Sequence, residues 1–353
     1  MLRAAMLTVF ILALLISIAN ATFTFGVYTS HDVGMQQSKP ISTDRGEYNI
    51  YASISKFAIN QDYYRNVQVM NADTSAFMSV FDIANSVSST GSLNPFKLTL
   101  STSSGMGLRI WDKNTVGPSM PYTLYIVRNQ NQNYDVYSAG RSQSTTITSP
   151  QGSDSSTVIV ISAEPSMTMS NFDVLKGGEV EIFTTARYNI GDSHRVFRMQ
   201  NYLAGHNSYC TIMGPIATLY NPVFFSNQHQ FSFMISSSSN VTHTEPIRAP
   251  GVITIAAPGF SSRSEMFNYD YVNFYPQYQL YTLAAPSDVT MYMEGVFSAQ
   301  YTMLVEFLGG DPYSYSFHTN DFFSREKKTV TQMKFSLARP TPIPNHYIEM
   351  RVV

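Results

Sequence analysis

The side chains best suited to recognition chemistry are aromatic, and they are densest between residues 267 and 281 (FNYDYVNFYPQYQLY). A tyrosine ring offers a flat apolar face with a polar rim, which suits stacking on a sugar ring and hydrogen bonding to its hydroxyls. Tyr269, Asp270, Tyr271 and Tyr275 are therefore the candidate ligand-binding residues. The alternative is that these rings are core side chains alternating with surface tyrosines on strands, where tyrosine is favoured.

No other pattern in the chain is typical of catalysis or of metal binding. The seven histidines are scattered, and no two have the spacing of a zinc site. There is no G-x-S-x-G nucleophile motif and no conspicuous acidic pair. The glycine turns at 177–178 and 309–310 do not lead from a strand into a helix, as a phosphate-binding loop does. We expect no catalytic residues, no metal ion and no cofactor.

Cys210 is the single cysteine of the chain, so an intrachain disulfide is impossible. Secreted chains usually carry paired cysteines. The simplest interpretation is that Cys210 is a buried small apolar residue, and the alternatives are an intermolecular disulfide or a catalytic thiol. Since no disulfide supports the fold, its modules must be stabilised by core burial and must be large enough to supply it.

Residues 1–21 have the features of a secretory signal peptide. Arg3 supplies a positive charge, residues 6–18 (MLTVFILALLISI) form an apolar run, and Ala19 and Ala21 are small residues placed for signal peptidase. The run is shorter than the roughly 20 residues that a bilayer-spanning helix needs, and an uncleaved membrane anchor is the alternative. We expect a secreted, extracellular protein without stable membrane insertion.

The composition agrees with an extracellular surface rich in strands. Charged residues make up 13% of the chain, against an average of about 25%, and the net charge is −2. Such a chain has no basic field for nucleic acid, and its aromatic content of 13% is too high for disorder. Asn240, in the Ser-rich stretch 236–250, begins an N-glycosylation sequon that the secretory route would favour.

Apolar and polar residues alternate with period two along much of the chain, which is the pattern of half-buried antiparallel strands. The alternation is clean at 96–101 (FKLTLS) and resumes with Met106, Leu108 and Ile110 on one face. Helical periodicity is weak throughout, so the sequence predicts an all-β fold of sandwiches. The same alternation recurs at 50–54, 180–182, 231–235, 301–307, 333–337 and 348–352.

Two stretches rich in Ser and Thr, 140–156 and 236–250, read as linkers or module edges. They divide the chain that follows the signal peptide into parts of similar size. The predicted organisation is therefore a signal peptide and three β-sandwich modules, at 1–21, 22–142, 143–245 and 246–353.

Several short segments resemble a known family. Residues 269–274 (YDYVNF) resemble the tyrosine–aspartate strand of CUB modules, and 289–293 and 301–307 resemble their final pair of strands. Residues 147–150 (ITSP) are similar to the opening of a CUB module. The whole resembles the divergent CUB-like proteins secreted by nematodes. The resemblance implies tandem antiparallel β-sandwiches of jelly-roll type, used for extracellular binding and, in that group, often for host defence.

The chain departs from the CUB pattern in lacking its disulfides, and only Asp270 falls on an acidic position of the calcium-binding members. One carboxylate is far from the six to eight oxygen ligands that calcium takes, so no calcium site is expected. We expect a non-enzymatic protein that binds an extracellular glycan or protein and has no nucleic-acid partner, with its oligomeric state open. A self-associating matrix component and a glycan-active hydrolase are the alternatives.

Overall fold

The computed structural model describes most of the chain after its first 24 residues, and the statements below concern that part. The described residues are 25–55, 61–101, 105–115, 120–129, 134–139, 145–148, 155–164, 166–174, 179–184, 186, 195–200, 208–212, 214–222, 231–237, 241–242, 246–256, 278–295, 303–309, 313–317, 323–337 and 346–353.

The chain begins with a sandwich of two four-stranded antiparallel sheets. The first sheet has the order β1-β8-β3-β6, from β1 (Phe25–Thr29), β3 (Gly46–Ile54), β6 (Phe96–Leu100) and β8 (Tyr122–Arg128). The second sheet has the order β2-β7-β4-β5, from β2 (Ser38–Ser42), β4 (Val67–Asn71), β5 (Ala76–Ser79) and β7 (Leu108–Asp112). Two short helices, α1 (Asp62–Arg65) and α2 (Val80–Asn85), lie beside these strands, and Ser79 caps α2 by accepting a hydrogen bond from the Asp82 backbone N–H.

A five-stranded third sheet follows, and its order is β14-β13-β16-β11-β9. Its pairs are antiparallel except β9 with β11, which is parallel. Its strands are β9 (Asp135–Ser138), β11 (Ser155–Ile161), β13 (Glu179–Phe183), β14 (Arg195–Gln200) and β16 (Ile216–Pro222).

The fourth sheet has eleven strands in the order β10-β17-β12-β15-β19-β24-β20-β23-β21-β22, with β18 paired to β20. Because β15 pairs directly with β19, this sheet crosses the predicted boundary at residue 245, and the division into three modules stays a prediction. Its strands are β10 (Thr145–Thr148), β12 (Met167–Val174), β15 (Tyr209–Ile212), β17 (Phe231–Ser237), β18 (Val241–Thr242), β19 (Gly251–Ala256), β20 (Tyr278–Gly295), β21 (Met303–Leu308), β22 (Tyr313–Phe317), β23 (Phe323–Leu337) and β24 (His346–Val352).

The sheets are stacked in layers, with an apolar core between each pair of neighbours. One core lies between the second and first sheets, another between the first and third, and another between the third and fourth. The fourth sheet buries a further core on its other face, since Ile253 and Ile255 join that core while Val252 and Ala256 face the third sheet. The all-β sandwich prediction is confirmed, and the outward face of the second sheet forms one end of the stack.

The predicted alternation agrees with burial on most strands. Leu98, Leu108 and Ile110 are buried, as are the apolar residues of 348–352. The prediction is wrong for Met106, which lies in a turn and is 61% exposed. On β3 the predicted solvent-facing Tyr51 is buried as well, because the first sheet packs against another sheet on each of its faces.

Side-chain hydrogen bonds connect the first sheet to the third. The Ser53 hydroxyl bonds the Ser138 hydroxyl at 2.7 Å, and the Thr123 hydroxyl donates to the Ser162 carbonyl at 2.7 Å. The Ser55 hydroxyl donates to the buried Glu164 carboxylate. Buried polar groups are tolerated when they are hydrogen-bonded, so this junction has a fixed geometry.

Buried tyrosines predict a loss of stability in alkali. Burial raises the pKa of Tyr51, Tyr64, Tyr122 and Tyr281 above its usual value near 10. The unfolded chain therefore releases these phenolic protons first, so stability is complete below about pH 10 and falls above it. We expect the urea midpoint to be clearly lower at pH 11 than at pH 8. An unchanged midpoint, with full tyrosinate absorbance at 295 nm in the folded state, would contradict the burial.

In the described part of the chain, no helix is long and apolar enough to cross a bilayer.

Candidate functional site

The predicted ligand-binding residues Tyr269, Asp270, Tyr271 and Tyr275 lie outside the described residues, as does the sequon residue Asn240. Their roles stay predictions. Tyr281, at the end of the same aromatic run, is fully buried and belongs to a core.

The contacts of Tyr281 are those of a core side chain. Its ring meets the Tyr209 and Phe335 rings edge-on at 5.6 and 5.9 Å, and its hydroxyl bonds the Thr211 hydroxyl at 3.2 Å. Burial raises the pKa of its phenol. A dense run of tyrosines in the sequence is therefore not by itself an exposed surface.

Cys210 lies on β15 in the core between the third and fourth sheets, and it is fully buried. Burial raises the pKa of its thiol far above the usual range, so the reactive thiolate is suppressed. These facts agree with the buried apolar interpretation and leave the thiol no access to a second chain. Among the described residues, no three His, Cys, Asp or Glu side chains are grouped to hold a metal ion.

The burial of Cys210 has a direct test. We expect a thiol reagent such as dithionitrobenzoate to label the native protein very slowly and the denatured protein completely, because only the unfolded chain exposes the sulfur. Non-reducing electrophoresis should show the monomer. Fast native labelling, or a dimer that a reductant removes, would contradict the buried position.

The outward face of the second sheet carries the exposed aromatic residues of the first sandwich, and we call it the Trp111 face. Strand register places its side chains in two rows across the sheet. The rows are separated by two residues along each strand, about 7 Å. They read Ser38–Trp111–Gln68–Ser79 and Pro40–Arg109–Met70–Phe77, and Lys113 follows Trp111 on the same side.

The Trp111 face exposes two large aromatic side chains. Trp111 is 37% exposed and Phe77 is 55% exposed. Met35 and Met106 are also exposed, in the loops that lead into β2 and β7. These four are among the six exposed large apolar side chains of the described residues, and Trp111 and Phe77 share one face of the sheet.

Lys113 lies over both aromatic rings. Its ammonium nitrogen is 4.5 Å from the Trp111 ring centroid and 5.5 Å from the Phe77 ring centroid. A cation over an aromatic face is attracted by the ring quadrupole. Within the described residues no carboxylate forms an ion pair with Lys113, so the two rings are its contacts there.

Two more polar groups flank the rings. Arg109 is held along the face because its Nε donates to the Ser38 hydroxyl at 2.8 Å and its Nη2 to the Ser38 carbonyl at 3.3 Å. Gln68, beside Trp111 in the same row, has a buried side-chain oxygen with no hydrogen-bond donor among the described residues. The face therefore combines two exposed aromatic rings with the cationic groups of Lys113 and Arg109.

A buried hydrogen-bond network holds the end of β7 from the core side of the sheet. Asp112 is fully buried, and its carboxylate accepts hydrogen bonds from the Tyr63 hydroxyl at 2.7 Å and from the Asn114 backbone N–H at 2.9 Å. The Asn114 side-chain amide donates to the same carboxylate at 2.8 Å and to the Tyr63 carbonyl at 3.1 Å. Since Asp112 stands between Trp111 and Lys113, this network ties both site residues to α1.

Sequence reasoning missed this site although a signal was present. The alternation that placed Leu108 and Ile110 inward also placed Arg109 and Trp111 outward on the same strand. Trp111 is the single tryptophan of the chain. The density of tyrosines at 267–281 drew attention to another segment.

The fold and the site together define a layered all-β protein with an open aromatic face at one end of its sheets. No family model matches the sequence, and no curated protein matches it.

Solved structures give likenesses at low scores. The CUB1-EGF-CUB2 region of human MASP-1/3 matches at 11% identity and a TM-score of 0.19, over 60% of this chain and 100% of that one. The extracellular region of zebrafish Gpr126/Adgrg6 matches at 7% identity and a TM-score of 0.21, over 61% of this chain and 36% of that one. The exported protein XepA of PBSX matches at 7% identity and a TM-score of 0.19, over 60% of this chain and 86% of that one. At these scores the likenesses carry no inference about family or activity.

Proposed function

We propose that this chain is a secreted, non-enzymatic binding protein that recognises glycans on an extracellular surface through the Trp111 face. The single observation that carries the proposal is the pair of exposed rings, Trp111 and Phe77, on the outward face of a rigid sheet. A sugar ring presents a flat face of C–H groups that packs on an aromatic ring, and its hydroxyls need polar partners at the rim.

The rim supplies those partners. Arg109 has guanidinium N–H groups beyond the two that bond Ser38, and the Lys113 ammonium lies over both rings. The face stands on a sheet whose other side is packed core, so the rings are held in place before a ligand arrives. Sites on strands are more rigid than sites on loops.

The secretory leader, residues 1–21, supports an extracellular place of action. A role in host defence is what the resemblance to secreted CUB-like proteins implies, and it would follow from binding to a microbial surface glycan. The alternative of a matrix component linked through Cys210 is disfavoured, because that thiol is fully buried.

The test uses the whole chain expressed with its own leader in a secreting eukaryotic cell. We expect the protein in the medium, starting after residue 21, and retained on a subset of an array of surface glycans. Trp111→Ala is expected to weaken binding by about 2 kcal/mol, roughly thirtyfold in Kd, because it removes a central aromatic anchor. Val87→Ala is the matched control, since Val87 is also exposed but lies outside this face.

Three outcomes would contradict the proposal. One is retention in the cytosol with the leader intact. Another is glycan binding that Trp111→Ala leaves unchanged in a variant shown to be folded by circular dichroism. The last is the release of new reducing ends from a bound polysaccharide, which would assign the face to an enzyme.

A further inference from the structure

We infer that the Trp111 face selects sugars that carry a carboxylate, such as uronates, and that the Lys113 ammonium binds this carboxylate. This inference rests on the proposed glycan-binding function and adds the class of ligand to it. It follows from the charges on the face, from the position of the Lys113 ammonium and from the pairing of the strand beneath Trp111.

The face is cationic although the chain as a whole is not. Its outward side chains include Arg109 and Lys113 and no carboxylate, while the net charge of the chain is −2. Carboxylates elsewhere in the first sandwich already have partners. Asp32 pairs with Lys39 at 3.2 Å, and the Asp73 carboxylate accepts the Met106 backbone N–H at 2.6 Å.

Lys113 stands where a ligand carboxylate would meet it. Its ammonium covers the Trp111 and Phe77 rings, and Lys113 is itself exposed. A neutral sugar that stacks on these rings must displace the ammonium. The ammonium then loses its contact with the rings and is solvated by water only. An acidic sugar displaces it as well but offers a carboxylate in exchange, and charge-assisted hydrogen bonds of this kind are the stronger ones. Lys113 therefore covers the rings in the free protein and stabilises a bound anionic ligand.

The strand beneath Trp111 favours a sugar over an acidic peptide at that ring, while Phe77 stands on β5, at the edge of the sheet. Extended peptides commonly bind by adding a strand to a free sheet edge. Trp111 stands on β7, which pairs with β2 on one side and β4 on the other, so its backbone groups are used in the ladders. What the interior of this face offers is ring surface and side-chain polar groups, which match a pyranose.

The single tryptophan makes the test direct, because the emission of the full-length protein reports on this face alone. The probes are tetragalacturonate and its methyl ester, in which methylation removes the charge of the carboxyl groups and leaves the sugar rings unchanged. We expect saturable changes in emission with both, with the acid bound about tenfold more tightly at low salt. Raising the salt concentration should weaken binding of the acid and leave binding of the ester unchanged.

Lys113→Ala and Lys113→Met should both abolish the preference for the acid. Binding of the ester should stay equal or become tighter, because the rings are uncovered. The matched control is Lys97→Ala, since Lys97 is an exposed lysine on the first sheet that pairs with Glu47 at 3.7 Å. This variant should keep the wild-type preference.

The results separate the inference from the proposed function. Equal affinity for acid and ester in the wild-type protein, or a preference that survives Lys113→Ala, overturns acid selectivity and leaves glycan binding standing. A hexaglutamate peptide that binds as tightly as the acid, with the same dependence on Lys113, assigns the face to acidic peptides and overturns the inference. If neither saccharide binds and no glycan array gives a signal that depends on Trp111, both proposals fail.

Discussion

Replacing Tyr125 by alanine is expected to destabilise the protein by about 3–5 kcal/mol, the range for deleting a large buried aromatic side chain. Tyr125 is 1% exposed in the core between the first and third sheets. Its ring stacks on Tyr51 at 5.9 Å between centroids and meets Phe25 edge-on at 6.5 Å. The substitution would leave a cavity where two sandwich layers meet.

Urea unfolding followed by far-UV circular dichroism and by Trp111 emission measures this effect. Both transitions should shift to lower urea, since the emission reports on the first sandwich and the dichroism on all the strands. Phe77→Ala is the matched control, because Phe77 is a 55% exposed aromatic residue and should cost less than about 1 kcal/mol. A loss for Tyr125→Ala no larger than that of the control would show that the first and third sheets are not packed as described.

Asp112→Ala is the second large effect, with an expected loss of about 3–5 kcal/mol, because it removes the acceptor of a buried hydrogen-bonded group. The Tyr63 hydroxyl, the Asn114 backbone N–H and the Asn114 amide would all lose their shared partner. The Tyr122 hydroxyl is already buried without a partner among the described residues, so the substitution would add further unsatisfied groups to this interior.

Asp112→Asn is the control for this prediction, because it keeps one acceptor oxygen and almost the same shape. We expect it to cost about 1–2 kcal/mol, clearly less than the alanine variant. Since the network anchors the end of β7, the alanine variant should also weaken glycan binding under conditions in which it is still folded. Equal stability of the two variants would show that the carboxylate accepts no such set of hydrogen bonds.

Much of the fold could be predicted from the sequence because alternation reports burial wherever one face of a strand meets water. Leu98, Leu108 and Ile110 follow this rule. The stacking of the sheets could not be predicted in this way. Tyr51 and Ser53 are buried because a further sheet covers the second face of β3, and the sequence of β3 carries no sign of that partner.

One feature of the site could be predicted from the sequence, and another could not. An outward position for Trp111 follows from the inward positions of its neighbours on β7. The presence of Trp111 and Phe77 on one face under a single lysine does not follow, because it requires the order β7-β4-β5. Of the dense aromatic run, Tyr281 proved to be core, and the prediction for Tyr269, Tyr271 and Tyr275 lies outside the described residues.

The most direct test of the central claim is the indole N–H resonance of Trp111 in the nitrogen-15-labelled full-length protein. One tryptophan gives one such signal, and it lies on the surface proposed to bind. We predict that this signal moves saturably with any glycan that is retained on an array by the protein, with the same Kd as the array measurement. A glycan that binds tightly while the Trp111 signal stays in place would show that recognition occurs elsewhere on the chain.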